Sequence, residues 1–402
     1  MSSEGGQWPL EPLGRLCRVS SGTTPSRTAG ARYFTHQGIP WVKTLDLNEG
    51  SLEATDESLT EVAVAETGAR VYPAKSVLLA MYGGWEQIGR TAILAVPAAV
   101  NQAISVLEVG PQLEPRYLLL ALQHGKPRWS RYAASTRKDP NITKSDVLSF
   151  GVLVPPLPVQ RRVVEVIDSF TELERVIEAS IAKLRSVRQG TLLDFMDRIQ
   201  PEWTPVRDLG DVRMGKQLSP DSRAAVEHYP YLRVANVHAG RIDYSDVNTM
   251  GFTKAERSVY ALNPGDILLN EGQSLELVGR SAIYRDAPGK FFFQNTLVRF
   301  RPERRVTSEY AQIIFEYWLQ AGVFAGIAKK TTSIAHLGGE RFASLKFPLV
   351  PIAEQQDLVT TISACDANIE GEKRELNKLR ELKRGLVDDL LSGRVAVSAV
   401  AA

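Results

Sequence analysis

The sequence is short of most things that carry chemistry on their own. It has two cysteines, Cys17 and Cys365, far apart in the chain, so neither a disulfide framework nor a zinc site is indicated. Its charges nearly cancel, 48 Lys and Arg against 46 Asp and Glu. A total so close to zero cannot tell whether basic residues gather on one face. No apolar run approaches the roughly 18–20 residues that span a bilayer. The opening Met1-Ser-Ser-Glu-Gly-Gly6 has neither the basic nor the apolar part of a signal peptide. The expectation is a cytoplasmic chain with no membrane partner.

Enzyme signatures are missing too. There is no G-x-x-x-x-G-K-[ST] phosphate loop and no G-x-G-x-x-G dinucleotide fingerprint. His36, His124, His228, His238 and His336 fall at no metal-ligand spacing, so no metal site is expected. Glu381-Leu-Lys383 matches the short acidic-x-Lys part of a nuclease motif, but it lies in a helical pattern with no acidic partner on a nearby strand, where a solvated helix face explains it. The Asn/Asp-Pro-Pro-aromatic tetrad of amino-methyltransferases is absent. No catalytic residue is assigned.

What is there is a duplication. At 402 residues, 44% hydrophobic and 23% charged, the chain has room for two or three ordinary globular domains. Gly38-Ile-Pro-Trp-Val-Lys43, followed by Asp46 and Gly50, returns as Tyr229-Pro-Tyr-Leu-Arg233, followed by Asn236 and Gly240. Val77-Leu-Leu79 and Ile88-Gly-Arg-Thr-Ala-Ile93 return as Ile267-Leu-Leu269 and Val278-Gly-Arg-Ser-Ala-Ile283. Val154-Pro-Pro-Leu157 with Gln160 returns as Val350-Pro-Ile352 with Gln355. The unit is far longer than the roughly 20–50 residues of a solenoid repeat. Two similar modules suit a partner with two similar halves, and duplex DNA is the commonest one.

Within each copy, short Val/Ile/Leu runs such as Val77–Ala80, Ala92–Ala95 and Ile104–Leu107 read as strands. Pro115–Leu122 and Ser308–Gln320 read as equivalent helices. The texture changes at Pro158 and again at Ala353. Val163, Ile167, Phe170, Ile177, Ile181, Leu184 and Phe195 recur at alternating three- and four-residue spacing, with one apolar beat missed at Glu174 and two more near Arg188. Ile362, Cys365, Ile369, Leu376, Leu379, Leu386 and Leu390 repeat that frame. Two such segments predict long helices packed as a coiled coil, the other reading being amphipathic helices that each lie on their own domain. Both carry an interior glycine, Gly190 and Gly385, which points to a close helix–helix or helix–partner approach, or to fraying of the last turns.

The candidate contact residues lie in loops. Between Lys126 and Lys144 stand Lys126, Arg128, Arg131, Arg137, Lys138 and Lys144, with Trp129, Tyr132, Ser135 and Thr136 among them and Asp139 as the one acid. The second copy has Lys329, Lys330, Thr331 and Thr332 at the matching place. Such residues neutralise phosphates and fix register on a duplex; a solvated loop is the plain reading of either stretch alone. The loops before the two Gly-Arg pairs differ completely, Met81–Gln87 against Glu271–Leu277. Gln87, Arg90, Gln273 and Arg280 have side chains that pair bidentately with adenine or guanine. Arg90 and Arg280 could equally hold a strand end through a carboxylate. Lys43, Thr44 and Asp46, with Arg233 and Asn236, form a second pair of loops.

These features, in this order and twice over, resemble the specificity subunit of type I restriction–modification systems across nearly the whole chain. The step Leu153-Val-Pro-Pro-Leu-Pro-Val-Gln160, repeated as Leu349-Val-Pro-Ile-Ala-Glu-Gln355, is similar to the family's Pro-Leu-Pro-Pro-Leu-x-Glu-Gln signature. Val159 replaces its Glu, and Pro351-Ile-Ala353 loosens the second copy, which bears only on the helix entry contacts. Asn101-Gln102 and Gln294-Asn295 sit where the family often has an Asn-Gln pair, and Arg185, Gly190 and Leu193 match its connector helix loosely.

The resemblance implies an α+β fold of two similar mixed α/β target-recognition domains, 1–157 and 201–352. Two long antiparallel helices, 158–200 and 353–394, would separate them as a coiled coil, leaving a flexible tail at 395–402. It implies a DNA-recognition scaffold without catalysis of its own, each domain reading one half of a split duplex site. Two methyltransferase subunits carrying S-adenosylmethionine would dock on it, in an assembly that restriction or translocase subunits can join. A specificity subunit of a system with fused modification and cleavage, a divergent methyltransferase or nuclease, and a coiled-coil adaptor without a DNA role are the competing readings.

Overall fold

The computed structural model describes residues 8–133, 141–330 and 334–395. The chain forms two compact units, residues 1–180 with 372–402, and residues 181–371. The first is called unit 1 and the second unit 2. Each holds one α/β domain, part of the long helix Leu157–Arg198 and part of the long helix Ile352–Leu391.

In unit 1 the central sheet runs in the order Cys17–Ser21, Ile104–Val109, Val77–Ala80, Thr91–Leu94, Ser51–Leu52. Its strand Val77–Ala80 is buried throughout, because the sheet is covered on both faces. Val77 and Leu79 point into a core with Tyr117 and Leu118, while Leu78 and Ala80 point into another with Val42 and Leu52. A strand covered on both sides reads as an unbroken apolar run, where a one-faced strand would alternate. Unit 2 repeats the arrangement in the order Gly210–Met214, Leu297–Pro302, Ile267–Asn270, Ser281–Ile283. There Ile267 and Leu269 face one core and Leu268 the other.

The helix Pro115–His124 starts with Pro115 in its first turn, and the Glu114 carboxylate accepts the Tyr117 N–H at 2.7 Å. Its counterpart Ser308–Gln320 is capped by Thr307, whose hydroxyl accepts from Tyr310 N at 3.2 Å. Both caps satisfy an amide that a helix start leaves open. The two tyrosines are themselves equivalent: Tyr117 donates to Leu153 O at 3.1 Å and Tyr310 to Pro348 O at 2.7 Å. Each thereby ties its helix to the strand that leads into a long helix. That strand pairs in turn with the first strand of its domain, Leu10–Pro12 with Gly151–Leu153 and Glu202–Pro205 with Lys346–Leu349.

The long helices pair antiparallel within each unit. In unit 1 Glu174 meets Lys383 at 3.1 Å, Glu178 meets Arg380, and Ser180 meets Glu372 at 3.1 Å. Rising numbers on one helix thus face falling numbers on the other. In unit 2 Arg188 forks onto Asp366 at 2.6 and 3.2 Å and reaches Glu316 at 2.9 Å. Beyond it Leu192 shares a core with Leu358 and Ile362. Glu174 and Arg188 are the residues where the apolar beat of the first helix fails, and both positions are filled by ion pairs between the helices. A polar pair at a seam position fixes register at some expense of stability.

The two interior glycines do not mark close approach inside the chain. A Cβ placed on Gly190 or Gly385 would meet no atom within 4 Å, so packing between the two helices is not what requires glycine there. Most of the expected tail, residues 396–402, lies outside the described residues. Among the described residues no helix is long and apolar enough to cross a membrane.

Candidate nucleic-acid interface

Each Gly-Arg pair closes its loop with the same backbone frame. In unit 1 Ala80 N donates to Arg90 O at 2.8 Å and Gly89 N to Ala80 O at 3.1 Å. In unit 2 Asn270 N donates to Arg280 O at 2.9 Å and Gly279 N to Asn270 O at 2.9 Å. Gly89 and Gly279 have φ of 77° and 83°, left-handed values that a side chain resists. A Cβ would stand 2.6 Å from Trp129 Cδ1 at Gly89, and 2.2 Å from Phe324 Cδ2 at Gly279. Backbone conformation and packing therefore both require glycine, which explains why the glycine recurs while the loop before it differs at six of seven positions.

Trp129 is consequently a core residue. It is 1% exposed and stacks on Phe150 at 4.0 Å, which corrects the expectation of a loop aromatic interleaved with the basic residues. Of the basic residues around it, Lys126 pairs with Glu49 at 3.1 Å. Arg128 lies over the Phe150 ring at 4.2 Å, and burial pushes its guanidinium below the ordinary value. Arg131 and Lys144 are exposed. Ser135, Thr136, Arg137 and Lys138, with Thr331 and Thr332 of the second copy, lie outside the described residues.

The second pair of loops is built by capping. Asp46 accepts the Lys43 N–H at 2.7 Å, and Asn236 accepts the Arg233 N–H at 3.0 Å. Asn236 is buried and also donates to Asp243 O and Asp246 O. Its amide is engaged in shaping the loop, so a base contact from Asn236 gives way to a structural role. Lys43 reaches Glu57 at 3.5 Å, and Arg233 pairs with Asp246 at 2.6 Å; Thr44 is half-buried beside them. Arg27, at 2.6 Å, holds the Glu57 carboxyl below its usual range, with Lys43 adding to the effect. Gly240 does not correspond to Gly50. It donates to Ser281 O as Glu49 donates to Thr91 O, and Glu49 itself takes the left-handed corner at φ 61°.

The fold brings the candidates of each copy together. In unit 1 Arg90 donates to Leu47 O, joining the Gly-Arg loop to the Lys43–Asp46 turn. In unit 2 the strand Gly272–Gln273 pairs with Ala335–His336, which pairs with Lys329–Lys330. Gln273, Lys329 and Lys330 thus share one small sheet, with Arg280 at the end of the loop that leaves it. Both lysines are exposed and, among the described residues, neither has an ion-pair partner. Gln87 is half-buried at the base of its loop, while Tyr82 and Trp85 stand exposed, as Leu275 and Leu277 do in unit 2. Among the described residues no group of three His, Cys, Asp or Glu could hold a metal ion.

Two residues were undervalued in the sequence. Gln160 and Gln355 are noticed there only as part of a repeated signature, yet both are wholly buried and each makes three hydrogen bonds at a helix entry. Asn270 is a third such residue; its sequence signal is a polar residue closing the otherwise apolar run Ile267-Leu-Leu269.

Paired loops on one backbone frame, doubled in a chain with two long helices, define a two-module scaffold. The type I restriction modification DNA specificity domain matches the chain twice, over residues 7–185 and 202–381, and the chain belongs to that family of non-catalytic specificity subunits. It is 19% identical over 408 residues to the EcoKI specificity subunit of Escherichia coli K12, covering 96% of this chain and 88% of that one. Its fold is similar to the S subunit from M. genitalium, with a TM-score of 0.55, 14% identity and 97% of each chain covered. A chain from a structure described as showing complex assembly and conformational transition of a type I system gives a TM-score of 0.65 at 15% identity, covering 97% of this chain and 98% of that one.

Proposed function

We propose that this chain reads a split duplex DNA site, the domain of each unit taking one half. The long helices dock two methyltransferase subunits, which bring the S-adenosylmethionine, while this chain holds no cofactor. Restriction or translocase subunits join the same assembly, in the cytoplasm. One observation carries the reading: one backbone frame, at Ala80–Arg90 and at Asn270–Arg280, presents loops whose side chains differ at six of their seven positions. Two readers of different sequences need a constant mount and variable contents. Gln87, Arg131, Gln273, Arg280, Lys329 and Lys330 are the described residues best placed for contact. Ser135, Thr136, Arg137, Lys138, Thr331 and Thr332 add charge and hydroxyls suited to phosphates.

Methylation mapping of the genome that encodes the chain, with and without its gene, tests the proposal. The expected result is one motif of two short defined parts around an undefined gap, whose methylation vanishes with the gene. A continuous motif, or methylation that survives the deletion, overturns it.

A further inference from the structure

Arg90 and Arg280 occupy one backbone position in the two copies, but their side chains are treated in opposite ways. The carbonyl that needs a donor is the same in both: Leu47 O in unit 1 and, following the equivalent turn, Val237 O in unit 2. In unit 1 residue 80 is alanine and offers nothing, so Arg90 Nη2 reaches back to Leu47 O. In unit 2 the equivalent of Ala80 is Asn270, wholly buried, and its Nδ2 donates to Val237 O at 3.3 Å. The asparagine has taken over the arginine's structural task.

Arg280 is thereby released. Its side chain has no hydrogen-bond or ion-pair partner among the described residues, and its Nε is buried without one. Burial pushes its guanidinium below the ordinary value. A guanidinium carries five donors and no acceptor, and leaving such a group desolvated and unpaired is unfavourable. Among the described residues nothing offsets that penalty; a ligand bearing acceptor atoms would. The same loop leads from the small sheet that carries Gln273, Lys329 and Lys330.

We infer that Arg280 contacts the DNA bound by unit 2 through acceptor atoms of a guanine edge or a phosphate, and that Arg90 is a positioning residue replaced in that task by Asn270. This rests on the DNA-recognition reading, but the exchange between Arg90 and Asn270 can be measured without DNA.

The experiment uses the native complex purified with the full chain, as wild type, R90A, A80N/R90A, R280A and R280K. Thermal unfolding reads the structural half. R90A lowers the unfolding temperature by several degrees, A80N/R90A restores it because the new asparagine caps Leu47 O, and R280A leaves it unchanged or raises it. Selection from a library of random-sequence duplex DNA, followed by affinity measurement over a range of salt, reads the other half. R280A weakens binding of the wild-type-selected duplex about 10- to 100-fold, the scale of one bidentate arginine contact. If the partner is guanine, one guanine disappears from one half of the selected motif and R280K does not restore it. If it is a phosphate, the motif is kept, R280K recovers most of the affinity, and for R280A the slope of log K against log salt falls by about 1.

Wild-type affinity, motif and salt slope in R280A would overturn the inference. So would an A80N/R90A complex that regains its unfolding temperature but not its DNA affinity, since Arg90 would then be touching DNA. Should the wild-type complex select no sequence, the recognition reading falls and Arg280's DNA contact with it, while the unfolding temperatures still decide the exchange.

Discussion

Gln160 Oε1 accepts the Glu114 N–H at 2.8 Å, joining the first turn of a long helix to the first turn of a domain helix. Its Nε2 donates to Gln112 O at 3.0 Å and Pro155 O at 2.8 Å. Gln355 repeats this with Thr307 N at 2.9 Å, Arg305 O at 2.9 Å and Val350 O at 2.9 Å. Only an amide both accepts and donates in this way, which gives the repeated glutamine of the Pro-rich step a physical reason. Substituting Gln160 or Gln355 by Leu keeps the volume and strands one donor and two acceptors, one of the acceptors in a buried bond and the other groups part-buried. Each unsatisfied group costs about 1–3 kcal/mol, so loss of about 3 kcal/mol or more is expected for either variant. Denaturant unfolding of the full chain checks this; a loss under about 1 kcal/mol would remove the joint's importance.

The glycines separate into two kinds, and substitution by alanine tells them apart. G89A and G279A force a side chain into left-handed backbone against Trp129 or Phe324, with an expected loss of about 2–4 kcal/mol. G190A and G385A meet open space in the middle of a helix and should stabilise by about 0.5–1 kcal/mol each. Unfolding midpoints that move in opposite directions are the expected result. If G190A and G385A keep the fold yet prevent assembly with the proposed methyltransferase subunits, those glycines face a partner.

Lys329 and Lys330 sit exposed on the outer strand of the small sheet in unit 2. Replacing both by glutamine should weaken DNA binding at every sequence alike. It should lower the slope of log K against log salt by about 1–2, since each phosphate contact contributes roughly 0.9. Binding titrations at several salt concentrations read this directly. A changed sequence preference with an unchanged slope would make them base readers instead.

Glu57 connects pH to stability. Its carboxyl is held below the usual range first by Arg27 and then by Lys43. A depressed carboxylate stabilises the fold fully above its unfolded value, about 4.3, and loses that contribution as pH falls through the lower folded value. Unfolding followed between neutral pH and pH about 3 should show that loss. E57Q should be less stable than wild type at neutral pH and draw level with it in acid. A stability difference that does not shrink on acidification would show that the ion pairs are not its source.

Exchanging residues 1–155 for the matching domain of another specificity subunit should change one half of the recognised site and leave the other. The two units have separate cores, so on the proposed reading each domain acts independently. Methylation mapping with the hybrid checks it, and a change in both halves would contradict it.

How much of this was legible beforehand differs by level. The duplication, the strand Val77–Ala80, the helix Ser308–Gln320 and the two long helices could be read from the sequence. Each is set by a local period or by the recurrence of one, and residues close in sequence carry the whole signal. Even the missed beats at Glu174 and Arg188 were visible, although their partners Lys383 and Asp366 were not. The roles of the candidate residues were not legible, because they depend on what each side chain meets across the fold. Trp129 looked like a loop aromatic until Gly89 was found packed against it. Asn236 looked like a base reader until the carbonyls of Asp243 and Asp246 claimed its amide. Arg90 and Arg280 are the same letter in the same motif, and the motif itself does not distinguish them. The difference lies in residue 80 or 270, one strand away, where an alanine leaves a carbonyl open and an asparagine closes it. Sequence alone determined which elements form and in what order; tertiary structure decided which polar groups remain free, because a hydrogen bond is settled by what stands within about 3 Å, however far apart its partners are along the chain.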